Sequence, residues 1–311
     1  VKIELKKLPK GEFQNLLYMR NHSLQYTQTL AGIHPITSVF TGANKIFPMA
    51  ESQVIKPNYL ASPEGDWIQF KELNDSTTYL HIKTFDGALY SKIDSVYQII
   101  VPKIKQKPYF IVDIRDNGGG SDRCWKQIAQ LIYTHPYKGD VTFAYVTPDI
   151  IKRYEEQYAV VKANEKAYGS QMSKFFEERL NLLRKNKPGS FVSIGKKSGK
   201  PATVSLNKVE KMPQKAVVIF NRNSASAAEG LILSAMNSKK TITFGENSGG
   251  YIAYGNIMGV KTPGGFTLRA ATQKTPNRLQ YEKTGIPPQI RANQQEDWIH
   301  QALKLLRQKS N

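Results

Sequence analysis

The run Lys215-Ala-Val-Val-Ile-Phe-Asn221 is apolar and β-branched with no polar alternation, which predicts a strand buried on both faces of a parallel sheet. Pro108 to Ile114 has the same character, and Thr241 to Gly245 is a shorter version. Thr77 to Phe85 alternates apolar and polar positions and predicts a further strand. Between Leu89 and Ile104, the residues Ile93, Val96, Ile99, Ile100 and Ile104 recur at helical spacing. Asp122 to Tyr133 predicts a second helix, and Glu296 to Arg307 an amphipathic closing helix. Tyr251 to Ala271 offers glycine-punctuated strands, with a hairpin turn expected around Pro263-Gly-Gly265. A strand, a helix, a strand, a glycine loop and a helix in that order predict a parallel α/β architecture.

Three segments depart from this rhythm. Residues 1–62 hold an opening strand pattern, Val1 to Leu8, then short runs broken by Gly and Pro. A start in mid-strand predicts that the chain is the downstream part of a longer protein. Pro148 to Lys187 carries two helically spaced series among many Lys and Glu residues, and predicts an inserted pair of helices. Gly189 to Met212 is polar and turn-rich. The expected organisation is an N-terminal region over 1–62, an α/β domain over 63–147 and 188–311, and a helical insertion over 148–187.

Composition narrows the function classes. With 40% hydrophobic and 22% charged residues, the 311-residue chain is expected to be globular and to bury a sizeable core. Its net charge of +19 is unusual. The lysines are spread through the pattern, without a basic arm or zinc knuckle, so nucleic acid is not the expected partner. The single cysteine, Cys124, excludes an intramolecular disulfide and a Cys-based zinc site. No apolar stretch approaches a membrane span. Neither a phosphate-binding glycine motif nor a cluster of metal ligands occurs, so no cofactor is expected.

The chemistry concentrates after the 215–221 strand. Asn223-Ser-Ala-Ser-Ala-Ala-Glu229 predicts a tight turn into a helix, with Ser226 at the helix's free N–H groups. A serine placed there suits a nucleophile whose oxyanion is held by backbone donors. The same residues also suit a plain helix cap, with Glu229 nearby. The loop Gly118-Gly-Gly120 after the 108–114 strand adds candidate donors. Gly119 and Gly120, with the amide of Ala227, would complete an oxyanion hole.

Asp113-Ile-Arg-Asp-Asn-Gly-Gly-Gly120 resembles the D-[LI]-R-x-N-x-G-G signature of the C-terminal-processing (tail-specific) serine peptidases. Ser224-Ala-Ser-Ala-Ala-Glu229 resembles their nucleophile motif, and Phe244-Gly-Glu-Asn-Ser-Gly-Gly250 their next motif. Gly285-Ile-Pro-Pro288 resembles their closing motif, with Gln289 in place of the acid. The resemblance runs in order from about Thr77 to Ile290. It implies a crotonase/ClpP-like α/β fold, Ser226 as nucleophile, and Gly119, Gly120 and Ala227 as oxyanion donors. It also implies a polypeptide substrate cut near its C-terminus or in an unfolded segment, and a location outside the cytoplasm, in the periplasm or cell envelope. Many members carry a peptide-binding PDZ module, of which Val1 to Leu8 resembles a remnant.

One position breaks the pattern. The main branch places a base lysine directly after the glycine of the G-E-x-T-x-G motif, and here that residue is Tyr251, a poor base at neutral pH. Tyr251 is instead expected to line the substrate site. The chain is similar to the lysine-free, tricorn-core-like branch, which takes a histidine from upstream and a glutamate shortly before the closing glycine. Glu282 matches that acid. None of His22, His34, His81, His135 and His300 sits in the branch's D-G-H context. The base is therefore not identified within this chain, and a start in mid-protein would place the histidine upstream. The expected function is a serine endopeptidase. The rivals are an inactive peptide-binding protein of the same fold and, further off, an acyl-CoA enzyme of the crotonase type.

Overall fold

The computed structural model describes residues 67–165, 170–194, 200–261 and 267–308. The opening strand pattern, His22, His34 and the Pro263–Gly265 turn lie outside them.

A six-stranded sheet is the frame. It contains β1 (Ile68–Asn74), β2 (Thr77–Ile82) and β3 (Tyr109–Asp113). Three later strands complete it: β8 (Lys215–Phe220), β9 (Thr241–Gly245) and β12 (Ile290–Arg291), in the order β1-β2-β3-β8-β9-β12. β1 pairs antiparallel with β2, and every pairing from β2 onward is parallel. The apolar runs are continuous because both faces of the sheet are covered. Phe110, Val112, Val218 and Phe220 face one core, while Ile111, Val217 and Ile219 face the other. The strands' period of two divides each run between the two layers.

Helices α1 (Tyr90–Ile104), α2 (Lys126–Ile132) and α5 (Ala227–Met236) cover the first face. Helix α6 (Trp298–Arg307) covers the second through Trp298, Leu305 and Leu306. Each fully buried large side chain contributes about 1.5–3 kcal/mol.

The structure adds details that the sequence reading did not give. Ile99 is 66% exposed, on the outer side of α1, while Tyr97 is buried and donates its hydroxyl to Cys124 O at 2.7 Å. The 122–133 helix is divided into a 3-10 turn, Asp122–Trp125, and α2. β1, half-exposed at the sheet edge, extends the order beyond the predicted strands. The turn-rich 189–212 stretch holds two short strands, β6 (Phe191–Ser193) and β7 (Thr203–Val204).

A second layer is built around the helical segment. Helices α3 (Pro148–Ala163) and α4 (Ser170–Arg184) are flanked in sequence by β5 (Phe143–Tyr145) and β6. These two strands join the hairpin of β10 (Tyr254–Lys261) and β11 (Thr267–Lys274) in a four-stranded antiparallel sheet, β10-β11-β5-β6. Val146, Ile150, Tyr154, Leu180, Leu183 and Met258 form its core. Thr147 starts α3 by accepting the Ile150 N–H at 3.1 Å. The last pair, β4 (Tyr137–Lys138) and β7, is antiparallel.

Candidate active site

The loops leaving β3, β8 and β9 meet at the carboxyl end of the parallel strands, the usual site position in open α/β sheets. Ser226 is the N-cap of α5 and has φ 55° and ψ −115°. A serine at positive φ is strained, and a strained strand-to-helix turn is how a nucleophile is lifted clear of its surroundings. Ser226 is exposed, whereas Ser224, Ala225, Ala227 and Ala228 around it are buried.

The strain is held by a dense set of bonds. Ser224 Oγ donates to Ile114 O at 2.8 Å, and Ala225 N–H to Asn117 O at 2.9 Å. Asp116, itself at φ 61°, accepts the Asn221 and Asn223 side-chain amides at 3.0 and 2.7 Å, and its N–H donates to Asn221 Oδ1. The serine turn and the glycine loop are thereby fastened to each other.

Glycine is required where these loops touch. Gly119 has φ 94°, and a Cβ there would lie 2.5 Å from Ala225 O and 2.8 Å from Ala227 N. Gly120, at φ 136°, would bring a Cβ to 2.1 Å from Phe85 O. The Gly119 N–H donates to Asn117 Oδ1 at 2.9 Å, which occupies one of the three expected oxyanion donors. Among the described hydrogen bonds, the amides of Gly120 and Ala227 donate to nothing.

Glu229 is the clamp of the site. Its carboxylate is fully buried on the first turn of α5. One oxygen accepts the Ser248 hydroxyl at 2.6 Å and the Gly250 N–H at 2.8 Å. The other accepts the N–H groups of Ser226 at 2.8 Å and Tyr251 at 2.9 Å. Ser248 Oγ in turn accepts Ile286 N–H at 2.7 Å, tying in the 285–288 segment. Sequence reasoning saw Glu229 only as a capping residue, because its other partners lie about twenty positions downstream. Gln289, where the resembled motif has an acid, still accepts Thr243 N–H at 2.8 Å through its amide oxygen.

Tyr251 is half-buried beside this clamp. Glu282 is also half-buried and accepts Ala253 N–H at 2.8 Å, so its contact is with the backbone leading into β10. Burial, with Glu229 nearby, pushes the Glu282 carboxyl above its ordinary range despite those backbone bonds. Among the described residues, no hydrogen bond joins Ser226 to Glu282, a histidine or a lysine. His81 is buried on β2 opposite Asp113, and burial holds its imidazole below the ordinary range. His135 contacts Thr134 Oγ1, and His300 lies exposed on α6. Lys239 and Lys240 precede β9 at the other end of the sheet.

Beneath the site, Asp113 and Arg115 form a buried ion pair at 2.5 Å, and Tyr79 donates its hydroxyl to Asp113 at 2.9 Å. Burial alone would raise the Asp113 carboxyl, but Arg115 overrides it and holds the group below its usual range. Arg115 also lies over the Trp298 ring at 5.3 Å, bridging to α6.

The family model of Peptidase family S41 matches residues 76–292, which spans every loop just described. The chain belongs to peptidase family S41. The parallel sheet and its flanking helices agree with the parallel α/β architecture expected from the sequence. Solved structures similar to this S41 chain include a candidate peptidase from Parabacteroides merdae ATCC 43184. It is 18% identical, with TM-score 0.49, over 78% of this chain and 65% of that one. Mature CPAF complexed with lactacystin is 14% identical, with TM-score 0.49, over 74% and 50%. The photosystem II D1 C-terminal processing protease is 14% identical, with TM-score 0.42, over 78% and 53%. The S41 chain thus matches between half and 65% of the lengths of these structures. No curated protein matches it. Among the described residues no helix is long and apolar enough to cross a membrane.

Proposed function

We propose that this S41 protein is a serine endopeptidase that cuts polypeptides near their C-termini or within unfolded segments. Ser226 Oγ attacks the scissile carbonyl carbon and its proton passes to a base. The carbonyl oxygen, now an oxyanion, receives the N–H groups of Gly120 and Ala227. Gly119 shapes this hole while its own amide anchors the loop to Asn117. Collapse of the intermediate breaks the C–N bond, the base returns the proton to the leaving amine, and water then hydrolyses the acyl-enzyme. Glu282 orients the base, and Tyr251 lines the substrate site. The base is a histidine from 1–66 or from a segment upstream, and the enzyme acts outside the cytoplasm. Residues 148–187 are an insertion in the peptidase domain.

The observation that carries this reading is the exposed Ser226 at φ 55°, beside two amides that donate to nothing among the described residues. A second reading, a peptide-binding protein that has lost catalysis, is favoured by Tyr251 in the lysine position. Fluorophosphonate labelling separates them. Labelling of the chain that is lost in Ser226→Ala supports the peptidase, and its further loss in His34→Ala places the base. Labelling only of a longer gene product puts the base upstream. If neither form labels and a peptide library still binds, the second reading replaces the first.

A further inference from the structure

We propose that the amino end of the six-stranded sheet, opposite Ser226, docks on an anionic phospholipid bilayer. The segments before β3, β8 and β9 converge there, because those strands are parallel and in register. The loop Ser205-Leu-Asn-Lys-Val-Glu-Lys211 contains one acid, Glu210, and that acid is turned inward. Glu210 is 8% exposed and pairs with Lys105 at 3.0 Å and Lys208 at 3.2 Å, while its carbonyl accepts Lys240 Nζ at 3.1 Å. The two lysines hold its carboxyl below the ordinary range. With the acid buried, the loop's outward face is Leu206, Lys208, Val209 and Lys211, all exposed.

The end of α5 adds to this face. β7, which leads into the loop, pairs with β4, and Tyr137 of β4 reaches Ser234 of α5 at 3.4 Å. Met236 and Lys239 follow at once, both exposed. Leu206, Val209 and Met236 are 37%, 50% and 37% exposed. Lysines 103, 208, 211 and 239 are exposed at this end. Of the acids at this end, Glu72 on β1 is held by Lys107 at 2.7 Å, while Asp75 in the β1–β2 turn is exposed.

Among the described ion pairs Lys103, Lys211 and Lys239 have no carboxylate partner, and these lysines with exposed aliphatic side chains between them fit a bilayer interface. The apolar tips enter the acyl boundary while the ammonium groups meet anionic headgroups. Weak apolar insertion and a basic patch hold stably only in combination. A nucleic-acid phosphate backbone would use the lysines but leave the three aliphatic residues without a role, and the 205–211 loop holds no arginine or aromatic stacking group. Docking in this orientation leaves the Ser226 end turned away from the membrane.

The test is co-sedimentation of the folded chain with vesicles of phosphatidylcholine alone and with roughly a quarter phosphatidylglycerol. Binding to the anionic vesicles is expected to exceed the neutral ones about tenfold and to fall with salt. Leu206→Ser/Val209→Ser and Lys208→Gln/Lys211→Gln should each reduce it roughly five- to tenfold. Circular dichroism should not change in either double variant. Equal binding to both vesicle types, or full retention in either variant, would overturn the proposal. So would heparin or duplex DNA binding more tightly than vesicles, with the Leu206→Ser/Val209→Ser variant unaffected. The readout does not pass through Ser226, so its result is independent of the peptidase reading.

Discussion

At the carboxyl end of the six-stranded sheet, backbone is pressed on backbone, whereas in the layer of α3, α4 and the four-stranded sheet, side chain packs on side chain. The first region has five glycines at positive φ whose added Cβ would collide with main-chain atoms: Gly119, Gly120, Gly245, Gly250 and Gly285. It is fastened by a single carboxylate, Glu229, that accepts four donors. The second region is held by an apolar cluster around Leu183 and Tyr154, with Phe175 and Val160 left exposed. A contact of main chain on main chain has no rotamer by which to relax, while an apolar cluster can repack. The geometry around Ser226 should therefore fail sharply under small changes, and the helical layer should yield gradually.

The largest expected effect is Gly120→Ala. Its Cβ would meet Phe85 O at 2.1 Å in a conformation alanine resists, so a loss of about 3 kcal/mol or more, or failure to fold, is expected. Urea denaturation checks it, and a loss under about 1 kcal/mol would mean that the loop can move. Next is Asp113→Ala, which removes the carboxylate partner of the buried Arg115 and should cost about 3–5 kcal/mol. Because the Asp113 carboxyl is held low, its contribution is present at neutral pH and lost as pH falls through the folded value. Asp113→Asn should therefore flatten the acid limb of the stability profile.

Leu183→Ala tests the other side of the comparison. Leu183 is fully buried between the helices and the four-stranded sheet, so about 2–5 kcal/mol is expected. The fluorophosphonate labelling rate per folded molecule should stay within about twofold of the parent, since nothing in that cluster bonds to the Ser226 turn. A drop of tenfold or more would show that the two regions are not separable.

The same contrast explains what could be read beforehand. The 113–120 and 224–229 motifs were legible because positive φ and close approach leave glycine and small residues as the sole solutions there. The strands β3 and β8 were legible because both faces are buried. Helical spacing marks the 90–104 helix but permits a stripe broader than the one the sheet covers, which is why Ile99 shares the spacing and lies exposed. β1 gave little signal, since an edge strand with half-exposed faces has no sustained alternation. The Glu229 clamp could not be read at all: its partners at 248, 250 and 251 become neighbours only once β9 lies beside β8.

The smallest effect belongs to Glu282, where the two regions join at the entry to β10. Its carboxyl binds a proton more tightly in the fold than in the unfolded chain, through burial and the nearby Glu229. A group raised in this way gives its full stabilisation below the ordinary glutamate range. It loses that contribution as pH rises through the folded value. Glu282→Gln keeps an oxygen to accept the Ala253 N–H and removes the titration. The difference in stability between the parent and Glu282→Gln should therefore shift against the parent as pH rises from the ordinary glutamate range through the folded value. Denaturant midpoints of the two proteins across that interval measure it. A flat difference would mean that the carboxylate is as well solvated at the mouth of β10 as in the unfolded chain. A shift in the parent's favour would mean that its charge is held by a cation, which is the arrangement an acid supporting a histidinium base requires.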